Sequence, residues 1–177
     1  MTVGSHSSPW SSLGEHTSLI NAIVTIDFAK FEGNAWSVMF DINNGTTTKA
    51  STVLLSKQQL TDAGSINKDF ISFYEPIESS LLEIRDISLQ PNYLAIGAEW
   101  NSLSVGPVGS TISARIIAQE KTQTQAGTFD TSVLGYTIGS NASRIWLSHN
   151  IPLPVKAEVY NAQNEPQYKY SLLHTKL

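Results

Sequence analysis

Residues 126–160, AGTFDTSVLGYTIGSNASRIWLSHNIPLPVKAEVY, decide the fold class. They read as strand, turn, strand, kinked loop and strand. Ile145 and Leu147 fall on one side of the middle segment, while Trp146 shares the other with Arg144 and Ser148. Side chains alternate across a strand, so this segment is apolar on both faces. Such a strand is packed between layers or lines a cavity. Pro152 and Pro154 flank Leu153. Neither can donate to a central ladder, so the pair predicts an extended structural kink that redirects the chain. Beyond it, Val155, Ala157 and Val159 are expected to face inward and Lys156 and Glu158 outward.

The same period-two alternation governs the rest of the chain. Ile20, Ala22, Val24, Ile26 and Phe28 share one face, with Ile23 as the exception on the other. Trp36, Val38, Phe40 and Ile42 form the next apolar face, and Asn43-Asn44-Gly45 is a strong hairpin signal. The return segment TTTKASTVLL at 46–55 is rich in β-branched residues. SKQQLTDA at 56–63 is the best helical candidate, with Ser56 as cap and Gly64 as stop, and it predicts at most one short helix. Strands are expected again at 69–74, 80–89 and 93–101, the last with Leu94, Ile96, Ala98 and Trp100 on its apolar face. Ile112, Ala114, Ile116 and Ala118 follow the loop Val105-Gly106-Pro107-Val108-Gly109 as another one-sided strand.

About ten short strands at steady spacing predict an all-β fold. The expected architecture is a curved antiparallel sheet forming an incompletely closed barrel or a sandwich. Crossover helices have no room, which excludes a parallel α/β fold. Residues 1–17 read as a flexible leader and 18–177 as a single β domain, within the reach of one core for 177 residues.

Charged residues make up only 15% of the chain and the net charge is −4. Lys and Arg are spread thinly, which argues against a phosphate-tracking face and hence against nucleic acid. The absence of cysteine removes disulfides and thiolate chemistry. No apolar run approaches the ~20 residues of a membrane helix. A charge-poor, Ser/Thr/Asn-rich, cysteine-free balance predicts an extracytoplasmic protein, secreted or at the cell surface, whose signal peptide is absent from this chain. Asn44-Gly45-Thr46 and Asn141-Ala142-Ser143 fit the N-glycosylation pattern and make Asn44 and Asn141 the candidate glycosylation sites.

No catalytic signature stands out, and the expectation is a protein that is not an enzyme and needs no cofactor. His6, His16, His149 and His174 lack metal-ligand spacing, so no metal is expected. Serines are abundant, but none sits in a nucleophile elbow. The carboxylate pairs Glu83/Asp86 and Glu75/Glu78 read as solvated side chains. Gly106 and Gly109 precede a strand, whereas phosphate loops open onto a helix. The tryptophans carry more. Core packing is the simplest role for Trp36, Trp100 and Trp146, and Trp10 beside Pro9 is free to dock onto a partner or onto the domain itself.

Four sets of residues resemble the closing strands of the LolA/LolB-like superfamily of lipoprotein carriers and its uncharacterised relatives. They are Gly127, Thr128 and Phe129; Ile145 and Trp146; Pro152, Pro154, Val155 and Lys156; and Tyr168, Tyr170 and Leu172. The segment is also similar to the ends of small secreted archaeal proteins. The resemblance covers the C-terminal segment only. It implies an incompletely closed barrel whose concave face takes up an acyl chain or other apolar ligand, such as a lipid. The chain departs from the carriers in having little helix before the closing strands, where theirs supplies the lid over the cavity.

Two functions follow as expectations. The first is an extracytoplasmic, non-enzymatic binding protein taking an apolar ligand on a curved sheet, with Trp36, Phe40, Trp100 and Trp146 lining the concavity. The second is a structural or adhesive cell-surface subunit that assembles by adding its N-terminal segment, residues 1–17, as a strand to a neighbour's sheet.

Overall fold

The computed structural model of the chain describes residues 2–6, 20–56, 60–62, 87, 92–105, 110–151 and 153–175. Its strands are β1 (Thr2–His6), β2 (Ile20–Glu32), β3 (Ala35–Asn43), β4 (Thr48–Ser56) and β5 (Leu60–Asp62) in the first part. They continue as β6 (Glu99–Val105), β7 (Ser110–Thr124), β8 (Gly127–Thr137), β9 (Ala142–Leu147), β10 (Lys156–Tyr160) and β11 (Pro166–Ser171). Nine of them build two antiparallel sheets, β2–β3–β4 with three strands and β6 to β11 with six, and no closed barrel forms among the described residues. Each sheet is a meander of neighbouring antiparallel strands. The short β5 extends the first sheet, and β1 pairs with both β2 and β11, so the full ladder runs β5-β4-β3-β2-β1-β11-β10-β9-β8-β7-β6.

Local chemistry sets the turns. Glu32 pairs with Ala35 across a two-residue connection in which Gly33 (φ 55°) and Asn34 (φ 74°) are both left-handed, the conformation that matches strand twist in a tight hairpin. The Asn43-Asn44-Gly45 signal does turn the chain: Asn43 pairs with Thr48, and Asn43 Oδ1 accepts the Gly45 N–H at 2.8 Å.

The inner faces of both sheets meet in one core. Val24, Val38, Phe40 and Val53 from the first sheet join Ile116, Leu134, Ile145, Ala157, Tyr168 and Tyr170 from the second. Burying an aliphatic or aromatic side chain fully contributes roughly 1.5–3 kcal/mol, so this shared interior is what holds the sheets to each other. A second cluster lies on the reverse face of the larger sheet, where Val133, Trp146, Ile151, Val155 and Leu172 pack together. β9 is therefore buried on both faces over its last three residues, as its doubly apolar sequence predicts.

Four sequence expectations are corrected. Leu60–Asp62 pairs with β4 as a strand, where a helix over 56–63 was expected; pairing with an existing edge outweighs the weak helical preference of so short a segment. Residues 92–97 turn instead of extending, because Asn92 (φ 58°) and Gly97 (φ 83°) adopt left-handed conformations. Ile96 consequently stands 65% exposed while Leu94 is buried. In β7 the pairing steps from Ile116↔Leu134 to Ala118↔Val133. The bulge at Ile117 transfers Ala118 from the main core to the reverse-face cluster. Val155 precedes β10 and joins that cluster as well, so it does not share a face with Ala157 and Val159. The expected strand at 69–74 lies outside the described residues. Of 80–89, Ile87 is described, helical and buried in the core.

Candidate functional site

The junction between the sheets is the part of the fold with the strongest functional implication. β1 runs antiparallel to both neighbours. Thr2, Val3 and Gly4 pair with Ser171, Tyr170 and Lys169 of β11, while Thr2, Val3 and His6 pair with Ile23, Ala22 and Ile20 of β2. The register of the second pairing shifts between Val3 and His6. Backbone donors and acceptors of β1 are thus used on both sides, and its neighbours' facing edges are closed by it. The chain continues to β2 through residues 7–19, which lie outside the described residues together with Trp10 and His16.

The four residues expected to line a concavity are not gathered on one surface. Phe40 is fully buried in the shared core, and Trp100 packs against that core from its margin. Trp36 shares the parity of Phe40 but lies at the β2–β3 hairpin end, 41% exposed. There it contacts Phe31 (ring centres 5.3 Å apart) and Phe28 (6.0 Å, edge to face). Trp146 occupies the opposite face of the larger sheet. Its indole N–H donates to Glu120 Oε1 at 2.7 Å, and the Lys156 ammonium sits 4.5 Å from its ring centre, held also by Glu158 at 2.9 Å. That arrangement satisfies the indole's polar edge and uses its face for a cation contact.

Of the expected kink, Pro152 lies outside the described residues and Pro154 is fully buried. The chain rejoins the ladder immediately after it. The Val155 N–H donates to Trp146 O at 2.9 Å, and Val155 O accepts the Leu172 N–H at 2.8 Å.

The two candidate glycosylation sites differ sharply. Asn44 caps an exposed turn, its Oδ1 accepting the N–H groups of Thr46 (3.1 Å) and Thr47 (3.0 Å). Asn141 lies where the β8–β9 turn docks on the β10–β11 turn. Asn164 (φ 66°) presents its Oδ1 to the N–H groups of Ser140 (2.6 Å) and Asn141 (2.8 Å). Asn164 was not singled out from sequence; its signal was a polar Asn161-Ala162-Gln163-Asn164 run between two strands, a turn pattern. Glu120 was missed for a different reason, since nothing local marks a carboxylate that bonds an indole from another strand.

An open groove of about 860 Å³ runs beside β6, β7 and β8, with Ile112, Ile117, Tyr136 and Ile138 among Glu99, Asn101 and Arg115 on its walls. A smaller recess of about 500 Å³ holds Glu120, Asp130 and His149. Among the described residues no group of three or more His, Cys, Asp or Glu is placed to hold a metal ion. Glu75, Glu78, Glu83, Asp86, Gly106 and Gly109 lie outside the described residues. No described helix is long and apolar enough to cross a membrane.

No protein-family model matches the chain, and searches of curated proteins and of solved structures found no match. The likeness to lipoprotein carriers therefore rests on the quoted motifs alone.

Proposed function

We propose that the protein is a non-enzymatic subunit of an extracytoplasmic assembly, whose copies associate by exchanging their N-terminal strands. The observation that supports this reading is the position of β1, paired on both flanks at the junction of two sheets. A second copy supplying the same five residues would reproduce every backbone pairing, so exchange sacrifices no contact of the strand. Chain concentration and the 7–19 connection then set the balance between closed and exchanged forms. The filled interior agrees with a structural role, because Phe40, Leu134 and Ile145 occupy the space between the sheets.

Sedimentation velocity of the full chain and of a chain lacking residues 1–17 tests the proposal. The full chain is expected to associate with rising concentration. The truncated chain, folded by its β circular dichroism, is expected to stay monomeric and to bind a synthetic peptide of residues 1–17. Association that survives the truncation would sink the idea.

One observation favours the second reading, an apolar-ligand binding protein. The Trp100 indole nitrogen is buried and has no hydrogen-bond partner among the described residues, and Trp100 pairs with Ala114, which lines the open groove of mixed polar and apolar walls. A buried donor without a partner is uncommon, and a bound headgroup would satisfy it. Titration with a fatty acid would then shift tryptophan emission, and the shift would vanish in Trp100→Phe; an emission spectrum that fatty acid leaves unchanged rejects this reading.

A further inference from the structure

We propose that Asn44 is the acceptor for an N-linked glycan on the folded chain and that Asn141 is not. Both triplets satisfy the sequence pattern; the state of each amide and each hydroxyl separates them. Besides the two N–H groups on Asn44 Oδ1, the Thr46 hydroxyl lies 2.9 Å and the Thr47 hydroxyl 3.3 Å from the same oxygen. Donors gathered on an amide oxygen polarise the group and make its Nδ2–H more acidic. Asn44 Nδ2 makes no hydrogen bond among the described residues, and Gly45, Thr46 and Thr47 are exposed around it. The acceptor nitrogen and the triplet's hydroxyl are therefore presented together at the tip of the β3–β4 hairpin.

Asn141 is engaged. Its Nδ2 donates to Asn164 O at 3.0 Å. The hydroxyl of its triplet belongs to Ser143, which has no exposure at all and accepts the Tyr160 N–H at 3.1 Å. A transferase would have to open the β9–β10 pairing to reach it. Gly139, two residues before Asn141, is equally confined: a Cβ there would lie 2.7 Å from Ala162 O.

The step joins Asn44 Nδ2 to the anomeric carbon of a sugar carried on a polyprenyl pyrophosphate. The carbon–oxygen bond to the pyrophosphate breaks, the leaving group takes the electron pair, and the amide proton passes to a carboxylate of the oligosaccharyltransferase. No atom changes oxidation state. Use of the site in the cell rests on the extracytoplasmic assignment proposed above, but its acceptor chemistry does not, so the two can fail separately.

The test incubates the purified, folded full chain with an oligosaccharyltransferase and lipid-linked oligosaccharide, read by intact mass and peptide mapping. The expected result is one glycan, lost in Asn44→Gln and in Thr46→Ala, kept in Thr46→Ser and kept in Asn141→Gln. The Thr46 pair separates acceptor chemistry from turn stability, because both variants leave Asn44 and the backbone cap in place. Urea-unfolded chain is expected to accept glycan at Asn141 as well. Attachment at Asn141 in the folded chain overturns the proposal. So does an unmodified folded chain when a peptide of residues 40–50 is modified under the same conditions.

Discussion

Gly135 and Gly139 lie close in sequence, yet an added methyl group meets different obstacles at each. At Gly135 it would come within 2.8 Å of Ile117 Cδ1 and 3.1 Å of its Cγ2, atoms of a side chain that is 42% exposed and has solvent to shift into. At Gly139 it would meet the backbone oxygen of Ala162 and Asn164 Oδ1, each at 2.7 Å, in a turn already fixed by the Asn164 bonds. Overpacking against a fixed wall costs about 1–3 kcal/mol, whereas a neighbour that can yield costs less. Gly139→Ala is therefore expected to lower the unfolding free energy measured by urea denaturation by that amount, and Gly135→Ala by under about 1 kcal/mol. Equal losses would show that the two turns yield as readily as an isoleucine side chain.

At the scale of the element, strand identity was readable where alternation is long and uninterrupted. Ala22, Val24, Val38, Phe40 and Ile42 are buried on the faces their spacing predicts, and β9 carries its three consecutive buried residues. Legibility fails where one residue shifts the period. The Ile117 bulge leaves no mark in a run of Ile, Ser, Ala and Arg, because the extra residue is defined by its pairing with β8 and not by its own chemistry. Residues 93–97 read as strand because Leu94 and Ile96 alternate, while the left-handed Asn92 and Gly97 that break the segment stand at its edges. Trp36 keeps the correct face but loses its burial because the hairpin ends there, and position within an element decides depth as much as parity does. The candidate site was less legible still. Pairing of β1 with two strands far apart in sequence is a long-range property, invisible to any local window.

For the molecule as a whole, the decisive fact is that one core is built from both sheets. Phe40 contributes from β3 and Leu134 from β8, and neither has exposed surface. Removing such a side chain costs about 3–5 kcal/mol for Phe→Ala and 2–5 kcal/mol for Leu→Ala. Because the sheets share their interior, each substitution is expected to lower a single thermal transition and neither to split it. Calorimetry of Phe40→Ala and Leu134→Ala checks this: two separated transitions in either variant would mean that the sheets unfold independently.

The contrasting settings of Trp36 and Trp146 give each sheet its own optical label. Trp36 stands half open to water on the smaller sheet, where an iodide quencher can collide with it, and its emission belongs at long wavelength. Trp146 is shielded on the larger sheet, with its N–H on a carboxylate and an ammonium above its ring. A chain carrying Trp10→Phe and Trp100→Phe keeps these two of the four tryptophans. In it, quenching separates the two signals without a dye, so the fate of either half of the ladder can be followed during assembly or unfolding.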